Sequence, residues 1–261
     1  MAPSAQTVIF LHIPKTGGAT LHKILEKNYR RNEILTFDGS RHRLEVERFA
    51  KLLAAERARY RLIKGHLFFG LHEFVPGNST YITFLREPID RGLSFYSHAR
   101  NHSDHYLHRL LIEEKLDLTT LLERRATPEL FNHQTRLIAG ESDLQRPVDR
   151  HSLERAKKNL RSHFSFVGVM EEYDAGLVLL SRALGQSLSP YRKSNVGREK
   201  IRAENIDKKT REALRDANAL DLELYEFARA LFASRRETAG KAFENEVRDF
   251  QRLNYKDVAC A

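Results

Sequence analysis

A single cysteine, Cys260, stands in a chain of 261 residues. That excludes an internal disulfide and any cysteine-built metal cluster, and it points to a reducing, cytoplasmic location. Long apolar runs are also missing. None approaches the roughly 18 residues a membrane span needs, so no membrane-spanning segment is expected. The first apolar run begins within a few residues of Met1, so no secretory leader is expected either. Repeats, low-complexity tracts and long linkers are lacking, and the reading is one domain over 1–261 with a helical C-terminal extension from about 203. Acidic residues are the minority charge, 35 against 44 Lys and Arg, for a net charge of +9 and a pI near 9.6. Such an excess predicts an anionic partner: a nucleotide, an acidic glycan, a nucleic acid or a membrane surface. The basic residues are scattered, with no aromatic-interleaved platform and no DNA-binding motif, so nucleic acid is the weakest of these. A hydrophobic content of 41% suffices for a core.

What is present is an alternation of strand-like and helix-like segments. Val8 to Ile13 is a β-branched and aromatic run followed by Pro14-Lys15-Thr16-Gly17-Gly18-Ala19-Thr20, and then by Leu21, Ile24 and Leu25 at helical spacing. Strand, glycine loop and helix together aim backbone N–H groups and a positive helix end at one point, which suits a phosphate. Gly17 and Gly18 admit a close approach, Lys15 adds a mobile charge, and Thr16 and Thr20 offer hydroxyls. The order of residues is not that of the nucleotide-triphosphatase loop, G-x-x-x-x-G-K-[ST], since the lysine precedes the glycines.

Further strands are expected at 34–37, 60–64, 81–85 and 164–169. Helices are expected over 44–58, from Pro88, over 152–162 and 173–184, and through most of the chain after 203. The middle, about 98–150, reads as polar and helical. In the C-terminal part, Leu220, Leu224, Phe227 and Leu231 form one apolar stripe, and Phe243, Val247 and Phe250 another. The alternation predicts an α/β fold with a largely parallel sheet covered on both faces.

After the strand at 81–85 comes Arg86, where a magnesium-dependent phosphoryl enzyme would commonly hold an acidic residue. Ser94 follows eight residues on, in the helix opened by Pro88, so the pair reads as a second anion clamp. Two anion sites on adjacent α/β units suit a nucleotide carrying phosphates at both the 5′ and 3′ positions. The competing enzyme class is a P-loop nucleotide kinase, disfavoured by the loop order and by Arg86. The competing non-enzyme class is a basic nucleic-acid-binding module. Against Arg86 as an anchor stands its use as a surface ion pair with Glu87.

The strings HIPKTGGAT and FLREPIDRGLSFYSHA resemble the two cofactor-binding motifs of the sulfotransferase superfamily, most nearly the carbohydrate sulfotransferases that include the heparan and uronyl 2-O-sulfotransferase branch. FSFVGVMEEYDAGLVLL and KSNVGREK resemble it more faintly, and the last sixty residues add nothing to the likeness. The resemblance implies a P-loop-like fold and the donor 3′-phosphoadenosine 5′-phosphosulfate, with 3′,5′-ADP as product and no metal. By it, Lys15, Thr16, Gly17, Gly18, Ala19 and Thr20 hold the 5′-phosphosulfate, and Arg86 and Ser94 the 3′-phosphate. Ser194 to Arg198 resembles the late loop that closes over the adenosine 3′-phosphate region, which adds Asn195 and Arg198 to the donor site. Ala19 departs from the pattern, standing where a hydroxyl residue is common.

Sulfuryl transfer needs charge stabilised on the leaving phosphate oxygen, a task Lys15 is placed for, and a base for the acceptor hydroxyl. His66 ends the strand at 60–64, at the edge where open parallel sheets bind ligands. On its own that position equally suits a structural, hydrogen-bonded histidine; a Gly-His step at the matching place in the glycan 2-O-sulfotransferases implies the catalytic role. His12, just before the loop, is read either as orienting Lys15 or as packing. Lys64, Arg192, Lys193, Arg198 and Lys200 are further basic candidates. His98, His102, His105 and His108 share a helical spacing, read as a polar face beside the acceptor pocket in preference to a zinc site. Glu113-Glu114 and Glu171-Glu172 read as exposed faces. Positive charge favours a hydroxyl on an acidic or already sulfated glycan as the acceptor, with tyrosine peptides, lipids and small alcohols as the alternatives.

Overall fold

A computed structural model describes residues 6–39, 41–187, 189, 191 and 206–256. Five strands form one all-parallel sheet: β1 (Thr7–Leu11), β2 (Ile34–Phe37), β3 (Leu62–Gly65), β4 (Ser79–Leu85) and β5 (Phe164–Val169), in the order β2-β3-β1-β4-β5. Successive residues of a strand point to opposite faces. Every residue of β1 and of β3 is buried, so both faces of the sheet centre are covered. The expected α/β class, P-loop-like with a parallel sheet between helical layers, is the architecture observed.

The helices are α1 (Gly18–Glu26), α2 (His42–Lys51), α3 (Ala54–Arg57), α4 (Pro88–Asn101), α5 (His108–Glu113), α6 (Leu118–Glu123), α7 (His133–Ala139), α8 (Arg150–His163), α9 (Tyr173–Leu184), α10 (Lys208–Ala217) and α11 (Ala219–Lys256). Gly240, at φ +75° and ψ −177°, divides α11 into two helical segments. None of the described helices is long and apolar enough to cross a membrane.

Three sequence expectations need correction. The single helix expected over 44–58 is two, because Leu52 and Leu53 are extended and the Glu56 carboxylate takes the Leu53 N–H at 3.2 Å, opening a new turn. The polar middle contains its own apolar core, in which Leu107, Leu111, Leu116, Leu118, Leu121 and Leu122 pack with Leu93, Tyr96 and Leu214. The first C-terminal stripe packs on the core but is not its innermost face: α11 buries Asp221, Leu224, Tyr225, Ala228 and Phe232, while Leu220, Phe227 and Leu231 pack against the core partly buried. The second stripe stands, with Phe243 and Val247 buried and Phe250 packed against them.

Because all five strands run the same way, their C-terminal ends share one edge. The Lys15 loop leaves β1 there, His66 follows β3, Arg86 follows β4 and Met170-Glu171 follow β5. Sequence distance between the motifs is thereby cancelled by topology.

Candidate active site

The loop after β1 departs from ordinary backbone at two points. Lys15 holds φ +72° and Gly17 +82°. For a residue with a Cβ such as Lys15 this left-handed conformation costs about 1–2 kcal/mol, which the surrounding contacts must hold in place. The Thr16 hydroxyl donates to the Ile13 carbonyl at 2.8 Å and is buried, so that hydroxyl braces the loop from within. From the β5 side the Tyr173 hydroxyl donates to the Gly17 carbonyl at 3.1 Å, and Met170 Sδ lies 2.7 Å from where a Gly17 Cβ would stand. Gly17 is the N-cap of α1 and brings no side chain of its own, so the first turn of α1 lines the cleft uncapped by it. Ala19, in that turn, is exposed. Gly18 has a harder reason to be glycine: a Cβ would fall 1.9 Å from His12 Nε2.

His12 is the hinge between loop and candidate base. Its ring stacks on His66 with centroids 4.6 Å apart and meets His22 edge-on at 4.8 Å, with His22 Nε2 and His12 Nδ1 3.0 Å apart. Burial first, then the charge its neighbours His66 and His22 would carry, pushes His12 far below the usual imidazole range. Burial first, then Lys64 and His66, push His22 down to about 4, against the pull of Glu26. Both rings are therefore neutral at pH 7.

His66 Nδ1 lies 3.2 Å from the His12 carbonyl oxygen. A carbonyl only accepts, so Nδ1 carries the proton and donates, leaving Nε2 as the basic nitrogen. His66 is half-buried and lines the same cleft as Lys15 and Gly18. Lys64, one of the watched basic residues, is committed elsewhere: its ammonium is buried and pairs with Glu26 on α1 at 2.8 Å.

Arg86 Nη1 donates to the Lys15 carbonyl at 3.3 Å, so the two loops touch. The Arg86 peptide is gripped by Gln134, whose Oε1 accepts from the Arg86 N–H at 3.0 Å and whose Nε2 donates to the Arg86 carbonyl at 2.8 Å. The Glu87 carboxylate is used on α4, accepting the Asp90 N–H at 2.7 Å. Ser94 and His98, one turn apart on α4, line the cleft with Arg86. Burial and then Lys15 push His98 down to about 4, and they lower His105 as well, against the pull of Glu129.

The four-histidine series does not act as a unit. The His98 and His102 rings lie 3.8 Å apart, His98 and His105 line the cleft, and the His108 ring turns to the Ala99 carbonyl at 3.3 Å. Among the described residues no group of three or more His, Cys, Asp or Glu is placed to hold a metal ion. Glu171 and Glu172 are more than exposed faces. Glu171 accepts the Glu87 N–H at 2.9 Å and the Tyr225 hydroxyl at 2.6 Å, and Glu172 pairs with Arg236. Glu113 and Glu114 sit on exposed faces, paired with Arg109 and Arg124.

Asn195 and Arg198, with Arg192, Lys193 and Lys200, lie outside the described residues. Sequence reasoning missed Gln134, Tyr173 and Glu129. Glu129 lines the cleft and accepts the Tyr106 hydroxyl at 2.5 Å. Gln134, Tyr173 and Glu129 reach Arg86, Gly17 and Tyr106, partners distant in sequence, so no local pattern marks them. As bounded by the described residues, the cleft encloses about 1730 Å³. A single small-ligand pocket takes roughly 300–1,000 Å³, so there is room for a nucleotide and a second substrate.

Comparison with known proteins bears on the whole of this architecture. A family model described as Galactose-3-O-sulfotransferase matches residues 1–259. Galactose-3-O-sulfotransferase 3 of Bos taurus is 27% identical over 265 residues, covering 95% of this chain and 62% of the relative. Heparan-sulfate 6-O-sulfotransferase 3 of Homo sapiens is 25% identical over 286 residues (87% and 58%), and uronyl 2-sulfotransferase of Homo sapiens 27% over 201 residues (70% and 49%). The chain thus spans less than two-thirds of the length of these relatives. The match runs through the C-terminal helices, where the motif likeness had added nothing, and through both strand-end loops. This chain belongs to the galactose-3-O-sulfotransferase family.

Proposed function

We propose that the cleft binds 3′-phosphoadenosine 5′-phosphosulfate and that the chain transfers its sulfuryl group to a carbohydrate hydroxyl. The observation that carries this is the 3.3 Å contact between Arg86 and the Lys15 peptide, with Ser94 on the same cleft wall. Two candidate anion anchors from separate strand ends thus line one cleft, as a nucleotide phosphorylated at two positions requires. The backbone fits such a ligand. Lys15 and Gly17, on either side of Thr16, turn through positive φ before an open helix N-terminus, an arrangement that suits an anion.

When bound, the donor supplies a sulfuryl group whose bridging oxygen departs with the 5′-phosphate as the acceptor oxygen attacks in line. Everything else falls to side chains. Lys15, with the N–H groups of Gly17, Gly18 and Ala19, stabilises charge on the departing phosphate oxygen. Backbone donors and Thr20 take the place of the hydroxyl that Ala19 lacks. Arg86 and Ser94 hold the 3′-phosphate, and Asn195 and Arg198 are assigned to the adenosine side by their motif alone. His66 Nε2 takes the proton of the acceptor hydroxyl while Nδ1–H stays on the His12 carbonyl, which fixes the ring. An acidic glycan is the acceptor best matched, since Arg41 and Arg43 line the same cleft as His66 and the chain carries +9.

The test is transfer of label from ³⁵S-labelled donor to a panel of neutral, uronic-acid-containing and sulfated oligosaccharides. Label in an oligosaccharide, abolished by excess 3′,5′-ADP, is the expected result. Label in none, together with turnover of magnesium-ATP, would return the chain to the kinase reading.

A further inference from the structure

The 3′-phosphate anchor is held by the far end of the chain. Arg86 follows β4, yet its peptide is clasped on both its N–H and its carbonyl by Gln134, which is fully buried. Gln134 lies in the first turn of α7, and that turn is fixed by α11. Asp221, also fully buried, accepts the Gln134 N–H at 3.0 Å, and the Thr135 N–H and hydroxyl at 2.7 Å each. The capping is reciprocal. Asn132 Oδ1 accepts the N–H groups of Leu220 and Asp221 at 2.9 and 3.0 Å, while Asn218 Oδ1 accepts the Asn132 N–H at 3.2 Å. Two helix N-termini therefore face each other, and each is closed by a side chain of the other.

Ordinary core packing does not require this arrangement. A buried carboxylate is costly unless fully hydrogen-bonded, and here its bonds go to the helix turn that carries the Arg86 clasp. We infer that Gln134 and Asp221 are positioning residues for the 3′-phosphate anchor. Asp221 fixes the first turn of α7, Gln134 fixes the Arg86 peptide, and the guanidinium is thereby aimed across the Lys15 loop. The C-terminal helices thus determine which nucleotide the cleft selects. This rests on the reading of Arg86 as the 3′-phosphate anchor.

The distinguishing quantity is the ratio of affinities for 3′,5′-ADP and 5′-AMP, which share every group except the 3′-phosphate. Gln134→Leu keeps most of the volume and removes both clasping bonds. Calorimetry on the full chain should show 3′,5′-ADP binding weakened about five- to tenfold, the worth of one to two net hydrogen bonds, with 5′-AMP affinity unchanged, so that the ratio collapses toward one. Asp221→Asn turns an amide donor onto the α7 N–H groups and should lower the ratio in the same direction. It supplies the reading should the leucine variant not fold. A merely structural role would lower the melting temperature and weaken both nucleotides equally, leaving the ratio intact; that result overturns the inference alone. Wild-type protein that binds both nucleotides equally, or neither, overturns the donor reading and this inference with it.

Discussion

Replacing Lys15 by methionine is expected to reduce sulfuryl transfer by about two to three orders of magnitude, the loss seen when one preorganised donor to a developing oxyanion is removed. Methionine is the informative substitution because of the backbone. Lys15 already sits at φ +72°, and an unbranched side chain of similar length tolerates that conformation equally. The Lys15 carbonyl goes on accepting from Arg86, so the loop persists and only the charge is lost. A second readout separates this from collapse of the loop. His98 is held down by burial first and by Lys15 next, so its titration should move up in the variant while His22, whose shift comes from burial, Lys64 and His66, stays in place. Unchanged turnover would remove Lys15 from the chemistry.

Loss of His66 should be of comparable size and differently distributed. General-base catalysis contributes about 10²- to 10⁴-fold, so His66→Ala and His66→Gln should both lose turnover in that range while 3′,5′-ADP binding changes little. The glutamine variant matters most. Its side-chain amide can donate to the His12 carbonyl as Nδ1–H does, but it has no basic nitrogen to accept a proton. A purely structural histidine would be rescued by it. Turnover in His66→Gln near that of the unaltered protein therefore assigns His66 to the packing of the His12–His66 stack and requires another base. Glu129, which lines the same cleft, is the carboxylate to test next.

The sheet was legible because its signals are local. Short β-branched runs end on glycine, arginine or histidine and are followed by helical periodicity, and a parallel sheet brings those endings together whatever their separation in sequence. The Lys15–Arg86 contact is a consequence of that topology. What escaped was polar and long-range. The break at Leu52 is made by a glutamate that caps backwards, and the apolar stripe read along α11 missed its true inner face because that face opens with Asp221. Buried polar residues look like surface until their partners are known, and the partners of Asp221 lie 86 and 87 residues away. The same blindness hid Gln134, so Arg86 was singled out in the sequence while the residue that clasps its peptide was not. The roles of Thr16 and Lys64 shifted for a related reason: composition shows that a hydroxyl or an ammonium is present, and only the fold shows that Ile13 and Glu26 already occupy them.

The central claim is that one cleft grips an adenosine nucleotide at two phosphates, through the Lys15 loop and Arg86. Isothermal titration of 3′,5′-ADP and of ATP, without added metal and then with magnesium, into the unaltered protein and into Arg86→Ala tests it directly. The account predicts metal-independent binding of 3′,5′-ADP, tighter than that of ATP and lost selectively in the arginine variant. Magnesium-dependent ATP binding with no affinity for 3′,5′-ADP, or full 3′,5′-ADP affinity in Arg86→Ala, would contradict it.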